Sequence, residues 1–357
     1  MLYFFSSLRT MKTVLFKKIL LPLVVLSSLA GLAVWSLPFL PNVKGTGKSI
    51  SVYIPTGSSW ETAMDSVRPA LRFPWLFMGW ASIKSTPDSV KGGHYLLKPT
   101  MGNRTIFGNI AGGWQDPVEI SFHSVDDMAS LASKLDVQLE ADSASLYTVL
   151  RDTAFWRKNG GWAPAARLSA FVPNTYQVYW NASATEILQK ILEGHASFWT
   201  EEKRAAAKKK GLTPLQVATL ASIVQKETAH EEEMARVAGL YLNRLHQGIL
   251  LQSDPTVIYA YKQSHPKAKT IRRVLNYMLR APGPYNTYQV QGLPPGPIAV
   301  AEIQSMNAVL SAEKHRYIFM CANPDRPGTH RFAVDDVAHE KNRMDYIRWL
   351  NKQKIYH

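Results

Sequence analysis

One carboxylate in this chain falls where an apolar side chain is expected. Thr213 and Pro214 open a helical pattern with a side-chain cap and a first-turn proline. The apolar positions Val217, Leu220 and Val224 are spaced three then four, and the next place on that stripe is Glu227. Burying an ionised carboxylate is costly, so such a group tends to keep its proton. A glutamate held near pKa ~6, against ~4.3 when free, is the general acid that glycosidic cleavage requires. The competing reading is structural, a glutamate that ends a buried helix or pairs with a cation such as Arg244.

Other candidate groups cluster downstream. Gln252 and Asp254 could hydrogen-bond sugar hydroxyls or acetamido groups, although Asp254-Pro255 also reads as a helix cap with a first-turn proline. Tyr285-Asn286-Thr287-Tyr288 combines donors, acceptors and flat apolar faces with polar tips, which suits a saccharide. Each piece could equally be ordinary loop chemistry. Glu231, Glu232 and Glu233 read as the solvated first turn of a helix, where acids favour the helix dipole. His230-Glu231 invites a zinc-protease reading, but position 234 is Met and not His, which removes the metal pair.

The elements that must hold these groups follow from periodicity and punctuation. Helices are expected at 213–227 and 231–246, the second with Met234, Val237, Ala238, Tyr241, Leu242 and Leu245 on its apolar face and Gly248 as its stop. A loop region dense in Asp, Asn, Pro, Gly and Tyr comes next, a composition that often carries sites. Upstream, strands are expected at 49–54, 93–97 and 118–122. Helices are expected from about 60, at 75–85, 104–111, 125–135 with Ser124 as cap, and 184–210. Residues 38–48 read as a linker.

A net charge of +14 suits nucleic acid, anionic lipid or an anionic polymer, so location has to decide. Residues 19–37 carry no charge and would span ~28 Å as a helix at ~1.5 Å per residue, about one bilayer core. That is longer than the apolar part of a cleaved signal, and no small-residue cleavage site follows. Arg9, Lys12, Lys17 and Lys18 precede it without an acid, so the positive-inside rule keeps the N-terminus cytoplasmic and exports the rest. A start at Met11 would leave this unchanged. Export disfavours nucleic acid as a partner. The single cysteine, Cys321, cannot form an internal disulfide, so a core must hold the fold.

Taken in order, several segments resemble the endolytic murein transglycosylase (YceG-like) family. They are Ala221-Ser-Ile-Val-Gln-Lys-Glu227-Thr228, Val237-Ala-Gly-Leu-Tyr-Leu-Asn243-Arg244-Leu245, Leu251-Gln-Ser-Asp254-Pro255-Thr256-Val-Ile-Tyr259, Tyr285-Asn-Thr-Tyr288 and Gly292-Leu-Pro294-Pro-Gly296. The tail around Gly328-Thr-His330-Arg-Phe332, with His339 and Asn342, is similar to the family's closing motif. The set covers about the last 145 residues. The chain departs from the pattern at Gln225, where the family usually has Glu, and at residues 168–176, where its acidic residues are missing.

The resemblance implies an α+β protein with an N-terminal transmembrane helix, a small LysM-like β-α-α-β unit and a mixed α+β catalytic domain. The expected division is 1–18 cytoplasmic, 19–40 membrane-spanning, 41–48 linker, 49–115 LysM-like, 116–211 an intermediate α/β region and 212–357 catalytic. It implies Glu227 as the catalytic residue of a lytic transglycosylase that cuts between N-acetylmuramic acid and N-acetylglucosamine and leaves a 1,6-anhydro end. It also implies substrate binding by Asn243, Arg244, Gln252, Asp254, Thr256, Tyr285, Asn286, Thr287, Tyr288 and Pro294. No metal or other cofactor is expected. The expected partners are peptidoglycan strands, inner-membrane lipid and wall synthases. Two other readings stand beside this one: an inactive wall-binding scaffold, and a hydrolase with Asp254 as second carboxylate.

Overall fold

The computed structural model describes residues 21–45, 47–84, 90–266, 268, 271 and 273–353. The expected cytoplasmic segment, residues 1–18, lies outside them. Helix α1 (Leu21–Ser36) is exposed and continues through a 3-10 turn, Leu37–Phe39, and the stretch is long and apolar enough to cross a membrane. Strand β1 (Ile50–Ile54), helices α2 (Trp60–Val67) and α3 (Pro74–Ile83) and strand β2 (Gly93–Leu97) then give the expected strand–helix–helix–strand order. β1 and β2 pair antiparallel, with Ile50 opposite Leu97 and Ile54 opposite Gly93. Helix α4 (Asn103–Gly112) closes this part.

Residues 41–43 are not a free linker. Pro41 and Val43 make bridges to Gly102 and Leu71, and Asn42 is 1% exposed. Its side chain accepts from the Phe73 N–H (2.7 Å) and donates to the Phe73 carbonyl and to Asn103 Oδ1. A Pro- and Gly-rich composition cannot reveal such tertiary burial in advance.

The chain continues with β3 (Val118–Ser121), α5 (Met128–Asp136), α6 (Ser143–Arg151), α7 (Thr153–Lys158), a 3-10 segment, Pro164–Ala170, and β4 (Thr175–Val178), which pairs with β3. The cap of α5 is Asp127, whose carboxylate accepts from the Ser130 N–H, and not Ser124. Helix α8 (Ala184–Phe198) and helix α9 (Glu201–Lys209) replace the single helix expected at 184–210. Trp199 turns into the core and Thr200 caps the new helix, its side chain accepting from the Lys203 N–H.

Then come α10 (Pro214–Glu227), α11 (Glu231–His246), α12 (Asp254–Ser264), α13 (Asn276–Leu279), α14 (Ile303–Leu310), the antiparallel hairpin β5 (Phe319–Ala322) and β6 (His330–Ala333), and α15 (Asp336–Lys352).

The chain forms two compact units. One holds the residues up to Val118 with Tyr179–Asn181, and the other holds Glu119–Val178 and everything from Ala182 on. The first packs around Val52, Ile54, Met64, Leu71, Phe77 and Ile110. In the second, Val172, Phe198, Trp199 and Ala207 share one core with Val217, Leu220, Val224, Val237 and Tyr241. No core boundary falls at residue 211, so the expected intermediate and C-terminal regions fold together.

Candidate active site

Thr213 and Gln216 form a reciprocal capping box that starts α10, with Pro214 in its first turn. All residues from Val217 to Val224 are buried, so the helix runs through the interior and not along a surface. Gln225 explains how its end is fixed. Its amide donates to Ser124 Oγ (2.9 Å) and the Val300 carbonyl, and its oxygen accepts from the Glu302 N–H (2.8 Å) and Ser305 Oγ. An amide can do this, because it donates and accepts at once.

Glu227 is the last residue of α10, and it reaches a cleft of about 380 Å³ as a partly covered side chain, neither solvent-exposed nor sealed in. Tyr241 Oη on α11 donates to Glu227 Oε1 (2.7 Å), and Ser253 Oγ donates to the same oxygen (2.5 Å). Oε2 makes no hydrogen bond among the described residues. Burial drives the carboxyl above its ordinary pKa. The Ser253 and Tyr241 bonds and the nearby His330 oppose the rise, and Asp254 adds to it. Burial also pushes the Tyr241 hydroxyl far up, so Tyr241 remains a donor.

Ser253 is placed by its neighbours. Its N–H donates to Thr287 Oγ1 (3.0 Å), and Thr287 pairs with Thr256 Oγ1 (2.8 Å). Gln252, just before it, has φ 53°, the one left-handed non-glycine among the described residues. Arg244 secures this turn by donating to the Leu251 carbonyl (2.8 Å) and to Gln252 Oε1 (2.9 Å), and it does not pair with Glu227. Asp254 begins α12 and is not its cap, a position that Ser253 holds. Asp254 Oδ1 accepts from Tyr288 Oη (2.7 Å).

The far wall is Phe319, Met320, Cys321 and Ala322 of β5, with His330 and His339. Glu233 is buried and not a solvated helix start. It accepts from the His330 N–H (2.8 Å) and meets His330 Nδ1 at 2.9 Å.

Of the residues expected from sequence, Glu227, Arg244, Gln252, Asp254 and Tyr288 line the cleft. The others do not. Asn243 donates to the His315 and Tyr317 carbonyls and fixes the approach to β5. Asn286 is fully buried, and its amide donates to the Leu279 and Ala281 carbonyls. Thr256 and Thr287 are buried behind Ser253. Tyr285 packs on Tyr259 at 4.7 Å. Pro294 is buried in a segment whose Gly296 lies so close to the Ala165 carbonyl that no Cβ would fit. Polar loop residues read as sugar ligands are thus engaged by the main chain, because buried carbonyls need donors. Tyr241 and Ser253 were not singled out, since one looks like a core residue of its helix and the other like a loop residue. Residues 168–176 are not among those lining the cleft, and Tyr176 Oη donates instead to the Val172 carbonyl.

Two helices thus meet at one recessed glutamate, and a β-hairpin lines the same cleft. Residues 52–345 match the model of the YceG-like family, and the chain belongs to that family. It is 30% identical over 181 residues to the endolytic murein transglycosylase of Bacillus subtilis, covering 51% of this chain and 48% of that protein. It is 22% identical over 338 residues to the endolytic murein transglycosylase of Streptococcus pneumoniae R6, covering 86% of this chain and 60% of that one. The chain therefore spans about half to three-fifths of the curated relatives it matches. The crystal structure of a YceG-like protein from Listeria monocytogenes shares the fold, with TM-score 0.52 and 24% identity over 83% of this chain and 99% of that one.

Proposed function

We propose that this chain is a membrane-anchored lytic transglycosylase that cuts peptidoglycan strands internally, as the names of its relatives suggest for them. The observation that carries the reading is Glu227, a cleft-lining carboxyl whose Oε1 is held by two donors. Glu227 Oε2–H gives its proton to the oxygen between N-acetylmuramic acid and N-acetylglucosamine as the C1–O bond breaks. The muramyl 6-hydroxyl then attacks C1 and returns its proton to Oε2. Glu227 is restored, no water is consumed, and the product carries a 1,6-anhydro ring. One carboxylate suffices because the nucleophile belongs to the substrate.

In this reading Gln252, Asp254 and Tyr288 are the cleft's polar contacts to sugar, and Phe319 is its apolar platform. The strand–helix–helix–strand unit would act as a LysM-like glycan grip. Helix α1 would be a single span with the N-terminus cytoplasmic and both units outside the cell membrane, within reach of wall synthases.

The test is mass spectrometry of sacculi digested by the full chain. Anhydro-muramyl ends are expected, and Glu227→Gln should lower their yield on the order of 10²–10⁴-fold. Reducing muramic ends in their place would make the chain a hydrolase with Asp254 as second carboxylate. Undiminished cleavage by Glu227→Gln would remove the assignment.

A further inference from the structure

The apolar helix is joined to its folded unit almost without slack. The 3-10 turn ends at Phe39, and only Leu40 and Pro41 separate it from the buried Asn42. Around Asn42 the main chain is bonded on both sides, from its N–H to the Met101 carbonyl (3.0 Å) and to its own carbonyl from the Arg72 N–H (2.8 Å). Gly102 lies against the backbone of Pro38 and Phe39, where an added Cβ would come within 2.7 Å. The segments 38–44, 70–75 and 98–104 thus form one base directly at the end of the helix.

That base has an unusual surface. Phe39, Phe73 and Trp75 are 47%, 46% and 72% exposed, although Phe73 carries two of the Asn42 hydrogen bonds. The Arg104 guanidinium stands 5.4 Å from the Phe39 ring centroid. Residues 38–48, 70–84 and 98–110 hold Lys44, Lys48, Arg72, Lys84, Lys98 and Arg104 and not one Asp or Glu. Exposed aromatics on segments that carry cations and no acids are costly in bulk water but suit the boundary of an anionic bilayer, where aromatic rings and basic side chains collect. Chain reach sets the depth. Three residues cover at most ~11 Å, comparable with the ~5–8 Å headgroup layer beyond the hydrocarbon core.

We propose that the face carrying Phe39, Phe73 and Trp75, with Arg72 and Arg104, sits in the headgroup layer of an anionic phospholipid bilayer, so that the anchor is a rigid mount and not a tether. This rests on the reading of α1 as a membrane span.

The test places an environment-sensitive fluorophore at Trp75→Cys or at Trp114→Cys, each in full-length Cys321→Ser chain reconstituted in phosphatidylglycerol-containing vesicles. Trp114 is also exposed, two residues past the far end of α4 from Asn103. Headgroup-labelled nitroxide lipid should quench the label at 75 several-fold more than the label at 114. Arg72→Glu with Arg104→Glu should reduce that difference, as should vesicles of phosphatidylcholine alone. Equal quenching at 75 and 114 in a chain that resists carbonate extraction would overturn the mount and leave the anchor standing. Release by carbonate would overturn both.

Discussion

At Glu227 the two carboxylate oxygens are not equivalent. Tyr241 and Ser253 both donate to Oε1, so in the proposed reaction Oε2 is the oxygen that carries the acidic proton. Because burial holds the carboxyl above its ordinary range, the acid form persists to higher pH than in a free glutamate, and kcat/KM should fall only as pH rises through that raised value. Removing either donor takes away an interaction that favours the charged form. Tyr241→Phe and Ser253→Ala should each move the alkaline limb of the pH profile upward and lower kcat by roughly tenfold, as the conjugate base becomes harder to form in the closing step. An unmoved limb would mean that these hydroxyls do not act on the carboxyl. The sign for stability is the reverse of the usual acid. A carboxyl with a raised folded-state pKa contributes stability at low pH that is lost as pH rises through it. Glu227→Gln should therefore raise Tm at pH 8 and lose that advantage at pH 4 in thermal melts.

Among the elements, the turn from 247 to 253 carries the most constraint. Arg244 bonds the Leu251 carbonyl and Gln252 together and so sets where Ser253 stands. Lysine cannot reproduce a planar fork. Arg244→Lys should lower kcat about tenfold or more and destabilise the fold by roughly 1–3 kcal/mol, read by denaturant melts. A variant with native kcat would show that the turn keeps its shape without the fork. Helices α10 and α11 were legible because caps and apolar spacing are local signals. Their meeting at Glu227 was half legible: the odd carboxylate on an apolar stripe stood out, but Tyr241 lay on its own helix's apolar face and looked like core. The break between α8 and α9 was carried by Thr200 and its following glutamates, a cap signal hidden in a run of good helix formers. Asn286 and Thr287 misled because a donor that serves a buried carbonyl and one that serves a sugar are the same residue type.

For the molecule as a whole, a buried histidine outside the cleft makes stability depend on pH. His195 in α8 lies against Trp162 and Trp199, and burial, with Arg204 nearby, lowers its pKa from 6.5 to about 4. The unfolded chain binds this proton first, so stability present above about pH 6.5 is lost as pH falls toward 4, by about 2–3 kcal/mol. His195→Phe should flatten that part of the stability profile in urea melts at pH 4–7, and an unchanged slope would assign acid sensitivity to other groups. The two units and the buried Asn42 were the least legible features, because both depend on contacts between segments far apart in sequence. Composition placed the apolar stretch well, since length and lack of charge are properties of the stretch itself.

Cys321 is the only thiol in the chain, and it belongs to the cleft wall on β5, half-buried, with its pKa pushed up by burial. Nature has thus left a reporter inside the groove. Slow alkylation of the unmodified protein, followed by intact mass, should be retarded by muropeptide oligomers that fill the groove. A rate indifferent to saturating oligomer would mean that the glycan docks on some other face.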